Sequence, residues 1–458
     1  MRQFILALSI VTFCSCVPQR QWRTKPYYAE GGAGAKTEER FVIPLSPDRD
    51  TNRMYSLAFV EFKNNGELDA PAQLDEALHA IDDADQRSGH HALVIAFIHG
   101  WKNNARPDKG NVLDFRMQIN RIAAFVCQDD KDKCGVVGIY LAWNGDVIDR
   151  SFNSFRQGSY FNRRDVAAQV AKGQMGDALF KIMRRVKDGE GRSANRSVVV
   201  GHSFGGLVLE GAIKRQMTKI AGELHDELSK TAKPAAYRRA DLGHLPALDY
   251  FANLVVLINE AASSANAVEL LNDFRKDFGP DLPLLARPLI LSVASQSDLA
   301  TKAVLPIAET VFPPRDRQPT PPELLKSLGL DQKKVFTTAP AHTPQLQSHH
   351  TKPCTDPACD DCRKDPGNVP VTITLPAYAP ENGTKNDKIL SYCVERDTKA
   401  WNSTPYWIFQ IPPEIVPDHS TIFTDRFTDF LTPFLNLEGL WTAQPAPQNR
   451  QIYTAPKS

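Results

Sequence analysis

The residues Gly201-His202-Ser203-Phe204-Gly205 set a hydroxyl nucleophile between small neighbours. They follow the β-branched run Ser197-Val198-Val199-Val200 and precede a helix-patterned stretch from Gly206 to Ile220. Strand, sharp turn and helix is the context in which the serine of a G-x-S-x-G turn is lifted above a sheet edge in a strained backbone conformation. Gly201, Gly205 and Gly206 leave room for that turn, and the amide of Phe204 is expected to face the negative charge of a tetrahedral intermediate. The chemistry this predicts is acyl transfer through a covalent intermediate.

A serine hydroxyl is a poor nucleophile until a base takes its proton, so a histidine oriented by a carboxylate is required. Asp298 lies just beyond the apolar run Pro288 to Val293, and His419 lies beyond the run Tyr406 to Ile411. Both are therefore expected at the carboxyl ends of strands, where open α/β sheets build their sites. Asp298 is the predicted acid, with Glu260 as its rival and a plain helix cap as its alternative role. His419 is the predicted base; His342, His349 and His350 are rivals, and Asp418-His419-Ser420 could merely cap a helix. His99-Gly100-Trp101 closes the apolar run Ala92 to Ile98 and predicts a second oxyanion donor, the amide of Trp101. In that reading His99 pins the loop through its ring nitrogens. Trp143-Asn144-Gly145-Asp146 ends a further strand at the same edge, either lining an acyl pocket or serving the core.

These side chains need a rigid frame. Met54 to Phe62 has strand character, and fully apolar runs recur at Ala92 to Ile98, Val136 to Trp143, Ser197 to Val200, Leu254 to Ile258, Pro288 to Val293 and Tyr406 to Ile411. Strands buried on both faces read this way. Helical spacing appears at Pro71 to Ile81, Asn111 to Cys127, Val166 to Val186, Gly206 to Ile220 and Ile422 to Leu435. The alternation predicts a mainly parallel sheet covered by helices on both faces. From Leu305 to Pro370, 12 of 66 residues are proline. Proline removes amide donors, so this segment is expected to be an insertion packed as loops and stapled by cysteine pairs. Its position at the active edge suits a lid or a substrate-shaping cap.

The formal net charge of +1 across 458 residues gives no pull toward nucleic acid. Arg2 and the apolar run Phe4 to Phe13, too short to span a bilayer as a mature helix, predict an export signal. Cys14-Ser15-Cys16 follows it and resembles the lipobox of bacterial lipoproteins, with Cys16 as the expected site of lipidation and simple secretion or an uncleaved anchor as alternatives. Six further cysteines remain at 127, 134, 354, 359, 362 and 393, an even number for an oxidising compartment. Cys127 with Cys134 would close a small loop. The other four are expected to form two disulfides rather than a zinc site, whose ligands would more typically come as two compact pairs.

Taken together, Phe97-Ile98-His99-Gly100-Trp101, Gly201-His202-Ser203-Phe204-Gly205-Gly206, Asp298 and His419 resemble the α/β-hydrolase superfamily, and within it uncharacterised bacterial lipoprotein-like esterases. The likeness covers roughly residues 40 to 300 and 388 to 440 and leaves out the insertion. It implies an α/β-hydrolase fold, a serine esterase needing no metal or organic cofactor, and a small-molecule or lipid ester as substrate. Amide cleavage by the same three residues, or a non-catalytic envelope protein using the fold as a scaffold, are the competing readings. The expected division is an export segment at 1–16, a flexible tether at 17–40, a core at 41–304, the insertion at 305–387, core completion at 388–441 and a tail at 442–458. Such a protein would sit in the bacterial envelope, anchored on the periplasmic side.

Overall fold

The seven strand-patterned runs pair, together with Val42–Ile43, into one sheet. The computed structural model describes residues 20–27, 40–43, 55–127, 134–146, 159–189, 192–216, 252–278, 288–311, 313, 319–355, 359–360, 362, 371–375, 390–397 and 406–435. The export segment with Cys16 and the tail at 442–458 lie outside the described residues. In chain order the strands of the large sheet are β1 (Val42–Ile43), β2 (Tyr55–Phe62), β3 (Leu93–Ile98), β4 (Val136–Trp143), β5 (Arg196–His202), β6 (Leu254–Ile258), β7 (Ile290–Ser295) and β11 (Tyr406–Ile411). Their spatial order is β1-β2-β4-β3-β5-β6-β7-β11. Only β1 runs antiparallel to its neighbour; the other six pairings are parallel. All carboxyl ends from β2 to β11 therefore share one edge.

Alternation along the strands explains why the runs are apolar throughout. Val94, Ala96 and Ile98 of β3 face one core, and Leu93, Ile95 and Phe97 face the other. The first core is closed by helices α1 (Pro71–Arg87), α3 (Tyr160–Lys172), α4 (Met175–Lys187), α5 (204–216) and α6 (Ala265–Phe278). The second is closed by α2 (Gly110–Val126) and α10 (Asp425–Leu435). This is an α/β architecture with a mostly parallel central sheet flanked by helices. Among the described residues no helix is long and apolar enough to cross a membrane.

Two expectations need correction. Residues 20–27, read as part of a flexible tether, are docked. The amides of Trp22 and Arg23 donate to the Glu61 carboxylate at 2.8 to 3.2 Å. The Arg23 side chain is 1% exposed, lies over the Phe59 ring and donates to the Ala105 carbonyl at 3.0 Å. A buried carboxylate needs donors, and this segment supplies them.

The insertion is also not a set of loops. It forms helices α7 (Leu305–Val311), α8 (Pro322–Leu328) and α9 (Gln332–Thr337) and a second sheet of β8 (His349–Pro353), β9 (Val371–Leu375) and β10 (Leu390–Arg396), ordered β8-β10-β9. Proline opens α8 at a position where its missing amide has no intrahelical acceptor to lose. The expected boundary at 387 shifts: strand β10 pairs with β8 and β9, so the insertion extends through Arg396. Its disulfides join Cys354 to Cys359 and Cys362 to Cys393, and a third joins Cys127 to Cys134.

Candidate active site

Ser203 stands between β5 and α5 with φ of +57°, a left-handed value that a side-chain-bearing residue adopts only under constraint. The constraint is close packing beneath the turn. A Cβ on Gly205 would lie 2.0 Å from the Ile98 carbonyl oxygen, and one on Gly100 would lie 2.7 Å from Cβ of Ser203. The turn thus rests directly on the end of β3 and on the loop that follows it. Phe204 opens α5, in the first turn where amides have no intrahelical acceptor.

The structure brings Ser203, His419 and Asp298 together from three strand ends. His419 Nε2 is 2.9 Å from Ser203 Oγ, and its Nδ1 is 3.0 Å from both oxygens of Asp298. A carboxylate only accepts, which puts the ring proton on Nδ1 and leaves Nε2 free to accept from the serine. Asp298 is fully buried. Burial works to raise its carboxyl, but the hydrogen bonds from His419 and Thr301 outweigh burial and hold it below the usual carboxylate range. Asp298 also accepts from the amides of Ala300 and Thr301 at 2.9 and 3.2 Å. The two roles weighed for it in sequence, orienting group and cap, coexist.

The rival residues lie elsewhere. Glu260 is buried under the turn, accepts from Ser292 Oγ at 2.7 Å, and its Cβ would meet a Cβ on Gly206 at 2.6 Å. Its carboxyl is pushed well up by burial and by the neighbouring Glu210. His349 stacks on Trp407 with ring centroids 3.9 Å apart, and exposed His350 pairs with Glu395. His342 lies behind Asp298, on the far side of Thr301.

The loop after β3 is fixed by His99. Its Nε2 accepts from the Trp143 amide at 3.2 Å, so the proton is on Nδ1, which is 2.9 Å from the Gly100 carbonyl. Burial lowers the ring's pKa to about 4, in keeping with a neutral imidazole. Because the peptide is planar and trans, holding the Gly100 carbonyl on one side turns the Trp101 amide to the other. Trp143, 2% exposed, stacks on His99 and donates its indole N–H to the His99 carbonyl at 2.8 Å. It braces the loop from the core. Tyr160, at the start of α3, packs edge-on to Trp101 at 5.4 Å and against Phe204 at 4.9 Å. One ring thereby touches both residues whose amides were expected to bind an oxyanion.

Asn259, which the sequence did not single out, holds the loop bearing His419 together with His202 of the turn motif. Asn259, with φ of +47°, donates to the carbonyls of Asp418 and His419 at 3.0 and 3.1 Å and accepts from the Ser295 amide at 2.8 Å. An asparagine directly after an apolar run was the available signal, since asparagine tolerates left-handed backbone. His202 Nε2 lies 2.7 Å from the same His419 carbonyl. Burial, helped by the His419 ring, lowers its pKa to about 3.

An apolar cleft enclosing about 660 Å³ of empty space, part of it open to solvent, lies between α2, α10 and the sheet face that carries His99 and His202. Leu93, Ile95, Val200, Ile119, Phe423 and Leu431 line it. The sulfurs of Cys354, Cys359, Cys362 and Cys393 lie within 4.8 Å of one another. Paired as disulfides, they present no thiolate to a metal. Comparison of the chain with protein-family models, with curated proteins and with solved structures finds no match.

Proposed function

We propose that this protein is a serine hydrolase of the α/β-hydrolase type that cleaves carboxylic esters through an acyl-enzyme. The observation that carries the reading is the unbroken hydrogen-bonded line from Ser203 through His419 to Asp298, starting on a left-handed serine at a strand-to-helix turn. Ser203 Oγ attacks the ester carbonyl while its proton passes to His419 Nε2, and the buried Asp298 stabilises the imidazolium that results. The amides of Phe204 and Trp101 bind the oxyanion. Collapse of the tetrahedral intermediate breaks the ester C–O bond, with the proton on Nε2 going to the departing alkoxide. Water, activated by the now neutral His419, then releases the acid and restores Ser203. The residues supply nucleophile, base and charge stabilisation without any further group.

The three disulfides support the oxidising compartment that residues 1–16 point to, and we infer an exported protein anchored at Cys16. The deciding experiment is hydrolysis of p-nitrophenyl esters from acetyl to palmitoyl by the protein lacking residues 1–16, with Ser203→Ala prepared alongside. Turnover that vanishes in the variant supports the reading, and the preferred chain length defines the acyl group. Folded protein that neither turns over any ester nor reacts at Ser203 with a fluorophosphonate refutes it.

A further inference from the structure

The insertion reaches the site from behind. His342 ends the short turn Pro340–His342, and its Nε2 lies 3.0 Å from the Thr301 hydroxyl. That hydroxyl bonds Oδ2 of Asp298, the carboxylate facing His419. On the other side, His342 Nδ1 lies 3.2 Å from the amide nitrogen of Gln410 on β11.

Only one arrangement of protons satisfies this line. The ionised carboxylate accepts, so the single hydroxyl proton of Thr301 goes to Asp298. The Thr301 oxygen must then accept from His342 Nε2–H, which leaves Nδ1 to accept from the Gln410 amide. Burial and Lys302 lower the His342 pKa against the pull of Asp298, which agrees with a neutral ring. Each donor from Gln410 inward points toward Asp298.

The far end is anchored. The Thr338 carbonyl accepts from the amide and hydroxyl of Ser264 at 2.9 and 2.6 Å, and Thr343 Oγ1 lies 2.9 Å from the same hydroxyl. Gln347 and Gln410 both donate to the Ala341 carbonyl, at 2.7 and 3.2 Å. The turn that carries His342 is therefore tied to the loop before α6 and to β11. At the near end, the amides of Ala300 and Thr301 hold Oδ1 of Asp298, while among the described residues Oδ2 has the Thr301 hydroxyl and His419 as partners.

We propose that Thr301 and His342 are positioning residues for Asp298, so that the seating of the insertion fixes the carboxylate plane and, through it, the base. This rests on the serine hydrolase reading. Neither side chain touches substrate. Their loss lets the carboxylate turn about its Oδ1 anchors and misaligns His419 by a fraction of an ångström.

The test uses the full chain with Thr301→Val, which keeps shape and removes the hydroxyl, Thr301→Ser, which keeps the hydroxyl, and His342→Phe. Each is measured for p-nitrophenyl butyrate hydrolysis and for Ser203 labelling by a fluorophosphonate, beside Ser203→Ala. Thr301→Val and His342→Phe are expected to lower kcat and the maximal labelling rate by roughly 10–100-fold, as misplacement by under an ångström does. KM and the half-saturating inhibitor concentration stay within about twofold, and Thr301→Ser recovers most of the rate. Should His342→Phe not fold, the Thr301 pair carries the test. Wild-type kcat in Thr301→Val, or a loss that Thr301→Ser does not recover, overturns the positioning role while an inactive Ser203→Ala leaves the hydrolase reading standing. Full activity in Ser203→Ala overturns both.

Discussion

His202 and His419 are joined ring to backbone: Nε2 of His202 lies 2.7 Å from the carbonyl oxygen of His419, although 217 positions separate them in the chain. A neutral imidazole can make this contact only by donating, so His202 carries its proton on Nε2. The residue beside Ser203 thus helps to hold His419. Asn259 reaches the same carbonyl, so the loop bearing His419 is held from β5 and from β6 together. His202→Phe keeps the ring and removes the donor. We expect a roughly tenfold loss of kcat with the fold retained, in line with one hydrogen bond of about 1–1.5 kcal/mol. Steady-state kinetics with circular dichroism on the same sample would check this, and unchanged kcat would show that Asn259 suffices.

Asp298→Asn keeps the shape but presents an N–H or a neutral carbonyl to His419 Nδ1. The ring is then free to place its proton on Nε2, where it cannot accept from Ser203. A loss of kcat on the order of 10⁴-fold is expected. Glu260→Gln, by contrast, should keep ester turnover within about threefold. Reversal of the two results would move the acid to Glu260.

Gly100→Ala sets a methyl group 2.7 Å from Cβ of Ser203 and 3.0 Å from the His202 carbonyl. Both neighbours are rigid, so the loop carrying the Trp101 amide must retreat. Loss of one oxyanion donor predicts a 10²–10³-fold drop in kcat, about 2.7–4 kcal/mol. Stopped-flow acylation would localise the defect; an unaffected acylation rate would remove Trp101 from the oxyanion site.

Stability should depend on pH through the carboxyls beneath the turn. Glu210, fully buried and bonded to the Tyr406 hydroxyl at 3.1 Å, has its pKa raised by burial to about 7. A carboxyl with a raised folded-state value binds its proton more tightly folded than unfolded. The stability it contributes is present below the ordinary carboxyl range and is lost as pH climbs toward 7. Urea unfolding should show less stability at pH 8 than at pH 5, and Glu210→Gln should remove a part on the order of 1–3 kcal/mol. An identical decline in the variant would point to other groups.

The bond between Cys127 and Cys134 closes a short loop, and Cys127→Ala with Cys134→Ala should cost about 2–3 kcal/mol. Peptide mapping without reductant is expected to pair Cys354 with Cys359 and Cys362 with Cys393. Free thiols at those four positions would instead leave a sulfur cluster able to take a metal.

The sheet was legible because strands buried on both faces must be apolar at every position, as Val136 to Trp143 and Leu254 to Ile258 are. The meeting of Ser203, Asp298 and His419 was legible because each closes such a run, and parallel strands deliver their ends to one edge. The insertion was not. Its strand His349–Pro353 reads His-His-Thr-Lys-Pro, with little apolar character, because only one of its five residues is buried. The support around the site escaped for a different reason. Tyr160 and Asn259 act through contacts with residues distant in sequence, as does Thr301 toward His342, and no local pattern encodes such a contact.

Arg23, clasped between the Phe59 ring and the Ala105 carbonyl, fixes the chain to the same edge that carries Ser203. Seven positions separate it from Cys16. A stretch of that length spans at most about 25 Å when fully extended. An acyl group on Cys16 would therefore act as a short leash. The edge that carries Ser203 would sweep only a shell beside the bilayer, and on the proposed reading esters embedded in or released at that surface would be met far more often than those in open solution.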